Sequence, residues 1–194
     1  LPRDRVRVIS KFLGSGFGGK LWPWTHSYLA AAAARQLQKP VKLVVSRKME
    51  FQTCGHRPRT VQRVRIGATP EGKLLSLQHD FVHHVAMLDD YKEDCGESTA
   101  LQYSVPNLRV TFGTARRNVG SPTSMRGPGR VPGLYATGSA LNELACELKI
   151  DPVQLRLLNE PKIDEGKKIP FSSRHLVECF QLGAEKFGWS KRDP

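Results

Sequence analysis

The chain has no C-x-x-C pair. Its four cysteines, Cys54, Cys95, Cys146 and Cys179, are scattered through 194 residues. That spacing argues against a zinc or iron–sulfur site built from this chain. Cys146 and Cys179 fall among helical apolar positions and are expected to be buried thiols, while Cys54 and Cys95 fall in loops. Reduced thiols are the default, so a cytoplasmic location is expected, with the periplasm as the alternative. No apolar run reaches the about 18 residues of a membrane span. No charged n-region followed by an apolar stretch opens the chain, which starts at Leu1 almost inside its first expected strand. It reads as part of something longer. Aromatic residues make up 8% and are not interleaved with the basic ones, which weakens the case for a nucleic-acid reader.

Basic charge is abundant. The formal net charge is +12, and it is uneven: residues 1–66 contain fourteen Lys and Arg against Asp4 and Glu50. Asp89, Asp90, Glu93, Asp94 and Glu97 then cluster. A basic first third suits an anionic partner, whether a phosphorylated cofactor, a nucleic acid or an acidic subunit surface; a solvated face is the plain alternative.

The most informative segment is Gly14-Ser-Gly-Phe-Gly-Gly-Lys20. It follows a strand-like run, 5–13, and precedes an Ala-rich helix expected from Thr25 to Gln38 and stopped by Pro40. A glycine-dense turn there lets backbone N–H groups approach an anion closely. A buried strand is expected over 41–46 and a loop over 50–59. Residues 60–66 and 74–85 read as an antiparallel hairpin around Pro70-Glu-Gly72. An acidic loop over 87–105 and a strand over 107–114 follow.

Residues 116–133, rich in Gly, Pro, Ser and Arg, read as a long functional loop, and Leu134 to Leu148 as a helix. Asp151, Pro152 and Gln154 read as N-cap, first-turn Pro and capping-box Gln of a short helix. Ser173 is the expected cap of a last helix that Gly188 terminates. Hairpins after a first βαβ-like unit indicate an α+β fold: a mixed sheet with helices packed on one face.

Three ligand classes use such a glycine turn. Gly14-x-Gly16-x-x-Gly19 matches a dinucleotide motif, and Ser46-Arg47-Lys48 could meet the 2′-phosphate of NADP. The expected antiparallel strands do not suit that fold. Gly14-x-x-x-x-Gly19-Lys20 matches a P-loop, but Leu21 replaces the magnesium-binding Ser or Thr.

The third reading comes from resemblance. Phe17-Gly-Gly-Lys20 and the distant Met125-Arg-Gly-Pro-Gly129 resemble the molybdopterin-binding large subunit of the xanthine dehydrogenase/aldehyde oxidase family. His56-Arg57-Pro58, the segment Tyr103 to Asn107, the helix Asp151 to Asn159 and the end Phe187-Gly-Trp189 fall in the family's order.

The resemblance covers nearly all of the chain. It implies a two-layer α/β sandwich forming part of a molybdopterin-binding domain, with two lobes at about 1–90 and 91–194. It implies molybdenum held by a pterin dithiolene, as molybdopterin or a dinucleotide form of it, and not by a protein side chain. Iron–sulfur centres and FAD would lie on other domains or subunits. The implied reaction oxidises an aldehyde or N-heterocycle with oxygen from water.

By the same resemblance Gly16, Phe17, Gly18 and Gly19 would line the cofactor, and Met125, Arg126 and Gly127 would approach it from the other loop. Leu21 and Pro128 would sit at the substrate pocket, where the purine-oxidising branch has a glutamate and an aromatic residue. Their apolar character implies that purine is not the substrate. The family's general base lies outside this chain. No catalytic residue is therefore assigned here, and the isolated chain is expected to be inactive.

Overall fold

A computed structural model describes residues 2–12 and 14–193. Its centre is a three-stranded sheet in the order β1-β2-β3, with β1 at Thr60–Ala68, β2 at Leu74–Ala86 and β3 at Asn107–Arg117. β1 and β2 pair antiparallel, and β2 and β3 pair parallel. The sheet is therefore mixed; the hairpin signals marked its antiparallel pair, while the parallel pair is formed by β2 and β3 and not by the expected βαβ-like unit at the start of the chain.

Alternation builds the two faces, because successive strand residues point to opposite sides. In β2, Leu77, His79, Phe81, His83 and Val85 are buried on one side, while Val82 on the other is half exposed. In β1 the even-numbered residues from Thr60 to Ala68 are shielded, and Val61, Arg63 and Arg65 are exposed.

The shielded face packs against helices. Among the described residues there are six α-helices: α1 (Thr25–Leu37), α2 (Arg47–Thr53), α3 (Thr99–Gln102), α4 (Arg130–Leu148), α5 (Pro152–Leu158) and α6 (Leu176–Phe187), of which α4 and α5 supply the core. Leu141 and Ala145 of α4 and Leu155 of α5 join Leu74, Leu77, Tyr103 and Val105 in the core. Burying a leucine side chain contributes about 1.5–3 kcal/mol, so this cluster fixes α4 and α5 on the sheet.

Asn159 closes the same core with hydrogen bonds. Its Nδ2 donates to the carbonyls of Gly72 and Leu155, each at 2.9 Å, and its Oδ1 accepts from the Leu74 N–H at 2.9 Å. A two-stranded ribbon, β4 (Ile163–Asp164) and β5 (Ile169–Pro170), precedes α6.

Several expectations are corrected. Residues 6–12 and 41–46 form no strand, and Leu13 lies outside the described residues. Among the described residues no neighbour pairs with these stretches, and Val8 and Phe12 are 89% and 94% exposed. A strand needs a partner for its backbone donors and acceptors, so apolar composition alone does not make one.

Ser46 caps an unexpected helix, α2, by accepting from the Met49 N–H at 3.3 Å. α4 begins at Arg130, four residues early, because a Pro such as Pro132 is tolerated in a first turn. Asp151 caps α5 through the N–H groups of Val153 and Gln154. Its other oxygen accepts from Trp189 Nε1 and Arg192 Nη2, in place of a reciprocal Gln154 bond. α6 starts at Leu176 with no side-chain cap from Ser173. Cys146 and Cys179 are exposed, because they lie on the solvent sides of α4 and α6.

Candidate functional site

The glycine segment turns back on itself over 17–20. Phe17 has φ +51° and Gly18 φ +88°. The left-handed region is open to glycine and costly for Phe.

Gly18 lies directly on the other loop. A Cβ there would stand 2.6 Å from the Ser124 carbonyl oxygen and 3.1 Å from the Met125 Cα. Absence of the side chain thus permits the two main chains to meet. The Arg126 N–H donates to the Phe17 carbonyl at 2.8 Å, and the Arg126 guanidinium lies 4.4 Å from the Phe17 ring centroid. Behind the turn, Trp24 Nε1 donates to the Gly19 carbonyl at 2.7 Å.

Between the loops opens a cleft of about 490 Å³. Gly16, Phe17, Gly19, Met125 and Arg126 line it, and α2 with the segment after it supplies Arg47, Glu50, Phe51 and Arg57. Lys20 also borders it, so the lining holds four cationic residues and the single carboxylate of Glu50; one of the four, Arg57, is paired with Glu93 outside the lining. Among the described residues, the N–H groups of Gly18 and Gly19 have no hydrogen-bond acceptor. Unpaired amides and an excess of guanidinium groups fit an anionic ligand.

They do not fit a bare metal ion. Among the described residues no group of three or more His, Cys, Asp and Glu is placed to hold one.

Of the expected site residues, Gly16, Phe17, Gly19, Met125 and Arg126 come together on the cleft wall, with Gly18 beneath. Gly127, at φ +68°, continues the Arg126 turn away from the cleft lining. Leu21 is 67% exposed and lines an adjoining hollow of about 710 Å³ with Trp22 and Trp24. The two spaces share Gly19, Lys20, Glu50 and Cys54. Pro128 is exposed and lines neither.

Sequence reasoning missed the support beneath the second loop. Glu93 is fully buried and accepts from the Gly129 N–H at 2.7 Å, from Arg57 Nη1 at 3.2 Å and from the Tyr91 hydroxyl at 2.5 Å. Arg57 Nη2 donates to the Met125 and Arg126 carbonyls, the latter at 2.8 Å. Burial and the bond to Glu93 push the Tyr91 phenol up to about 12. The His56-Arg57-Pro58 motif carried part of this signal. Glu93 was hidden inside an acidic cluster that read as a loop.

A mixed α+β sheet, one helical layer and a cationic cleft between two glycine-rich loops define an anionic-cofactor domain. The comparisons make this specific. Residues 1–160 match the molybdopterin cofactor-binding domain model, and the chain belongs to that family. It is 38% identical over 194 residues to the aldehyde oxidoreductase molybdenum-binding subunit PaoC of Escherichia coli O157:H7, covering 100% of this chain and 26% of that protein. It is 32% identical over 167 residues to a xanthine dehydrogenase of Oryza sativa subsp. japonica, covering 82% of this chain and 12% of that one.

The fold resembles the aldehyde oxidoreductase from Desulfovibrio gigas, at TM-score 0.74 and 24% identity over 90% of this chain and 20% of that one. It also resembles quinoline 2-oxidoreductase from Pseudomonas putida 86, at TM-score 0.79 and 20% identity over 92% and 24%. The chain thus spans about a quarter of the length of the PaoC relative. No described helix is long and apolar enough to cross a membrane.

Proposed function

We propose that this chain forms one wall of the molybdopterin site in a larger oxidoreductase that oxidises an aldehyde or a non-purine N-heterocycle. The observation that carries the reading is the cleft itself. Two loops distant in sequence meet backbone to backbone at Gly18, whose N–H, like that of Gly19, has no acceptor among the described residues, and cationic residues border the cleft beside them.

When bound, the molybdenum–pterin group supplies the oxidation chemistry, taking its oxygen from water. This chain's residues bind and orient that group. The Gly18 and Gly19 amides are donors for negative charge on the bound group. Arg126 offers a planar guanidinium suited to a phosphate or pterin oxygen. Met125 and Phe17 supply apolar walls. No residue here is assigned proton transfer.

Leu21 and Pro128 are the proposed substrate-side residues. Leu21 opens on the hollow shared with Trp22 and Trp24, an apolar and aromatic surface that suits an aromatic aldehyde. The remaining part of the large subunit, together with iron–sulfur and flavin domains or subunits, completes the proposed enzyme.

The test is purification of the full-length subunit with its partners. We expect near-stoichiometric molybdenum, with aromatic aldehydes oxidised faster than xanthine. Absence of molybdenum in correctly folded enzyme overturns the cofactor assignment, and faster xanthine turnover overturns the substrate class. The 194-residue chain alone is expected to retain little or no molybdenum.

A further inference from the structure

We propose that Arg57 and Glu93, backed by Tyr91, are positioning residues that hold the Met125–Arg126 turn in its ligand-binding shape. The inference rests on reading the cleft as a cofactor site, and it assigns work to residues outside both glycine loops.

The first observation is the burial of Glu93. A buried carboxylate is costly unless donors surround it. Here three donors do: Gly129 N–H and Arg57 Nη1 at one oxygen, Tyr91 hydroxyl at the other. Glu93 thus ties the turn's far end, Gly129, to the segment 91–93.

The second is the fork made by Arg57. One nitrogen meets Glu93 while the other meets two consecutive carbonyls, Met125 and Arg126. A planar guanidinium can span such acceptors at once; an ammonium is a point charge without that geometry. The third is strain. Arg126 has φ +26°, a conformation that persists for a non-glycine residue where its surroundings over-determine it. Arg57 on its carbonyl and Phe17 on its N–H supply that restraint.

The charges divide accordingly. Arg57 is neutralised by buried Glu93. Among the described residues, Arg126 has no carboxylate partner, so its cation remains available to a ligand.

The experiment uses the full-length subunit with its partners, in cofactor-free and loaded forms. Amide hydrogen exchange is read at residues 124–129, with molybdenum content and melting temperature measured beside it. For Arg57→Lys we expect exchange at 124–129 to accelerate by about tenfold and molybdenum content to fall severalfold. Exchange elsewhere stays at the wild-type level. Arg126→Lys is expected to lower molybdenum content and leave Arg57-dependent protection in place.

A folded Arg57→Lys protein with wild-type exchange at 124–129 overturns the proposal. If Arg57→Lys or Glu93→Gln does not fold, Tyr91→Phe decides. It removes one donor from Glu93, and it should raise exchange at 124–129 by a smaller factor. Unchanged exchange in that variant overturns the proposal as well. Faster exchange at 124–129 in Arg57→Lys, together with a wild-type protein that takes up no molybdenum, leaves the clamp standing and removes the cofactor reading.

Discussion

Phe17 and Arg126, 109 positions apart in the sequence, hold each other through both backbone and side chain. The Arg126 N–H donates to the Phe17 carbonyl at 2.8 Å, and the guanidinium lies 4.4 Å from the ring centroid. Both residues have positive φ without being glycine. Each of these conformations costs about 1–3 kcal/mol, and the contacts between the two loops offset part of that cost. The pairing turns two flexible glycine-rich segments into one cleft wall.

Gly18→Ala tests that wall. At φ +88° a Cβ is already strained, and it would stand 2.6 Å from the Ser124 oxygen, which is backbone and cannot rotate away. Overpacking of this kind costs about 1–3 kcal/mol. If the loops separate to relieve it, cofactor affinity falls by roughly tenfold. We expect molybdenum content of the full-length subunit to drop while its far-ultraviolet circular dichroism is preserved. Wild-type molybdenum content in this variant would show that the loops need not touch.

Asn159→Ala addresses the core. It leaves the Leu74 N–H and the Gly72 carbonyl, both paired by the Asn159 side chain, without partners in a fully buried place. Each unsatisfied group costs about 1–3 kcal/mol, so a loss of roughly 2–4 kcal/mol is expected in urea unfolding of the 194-residue chain. A loss below about 0.5 kcal/mol would mean that water or a backbone shift replaces both bonds.

Much of this architecture was legible because its signals are local. Alternation in 60–66 and 74–85 marked the hairpin, Gly188 marked the end of α6, and Asp151-Pro152 marked the start of α5. The two glycine loops were legible as motifs, and the structure joins them. The stretches 6–12 and 41–46 misled because strand formation depends on a neighbour, which composition does not encode. Glu93 was illegible for a related reason. A carboxylate among Asp89, Asp90 and Asp94 looks solvated until the fold brings Arg57 and Gly129 onto it. α2 was missed although Ser46 stood at its cap, because residues 50–59 were read as a loop and the helix is only seven residues long.

The cysteines differ enough to be told apart chemically. Cys95 is 1% exposed, and burial, with the nearby Glu93 and Asp94 charges adding to it, pushes its thiol up to about 12. Thiolate is the reactive form, so Cys95 is inert at neutral pH. Cys146 and Cys179 are exposed. In the native 194-residue chain, a thiol-specific chromogenic reagent should modify Cys146 and Cys179 rapidly. Cys95 should react after denaturant is added. Peptide mapping that finds Cys95 labelled as fast as Cys179 would contradict the packing of the 93–95 segment.

His79 gives the sheet a pH dependence with a definite sign. It is fully buried in β2, with Nδ1 2.8 Å from Thr99 Oγ1 and Nε2 2.9 Å from Gln62 Oε1. An amide oxygen can only accept, so Nε2 carries the proton and Nδ1 accepts from the Thr99 hydroxyl. Burial lowers the His79 pKa, and the Asp80 charge opposes this less strongly. The unfolded chain titrates near the ordinary value of about 6.5. Between that value and the lower folded one, the unfolded state binds more protons, so stability rises with pH. The contribution is fully present above about pH 6.5 and is lost as pH falls through the folded value. His79→Gln removes the titration and keeps a group that can both donate and accept. Between pH 7 and pH 5 the wild-type urea midpoint should fall more steeply than that of the variant; parallel slopes would place the acid sensitivity elsewhere, with His84 the next histidine whose pKa is lowered, chiefly by burial.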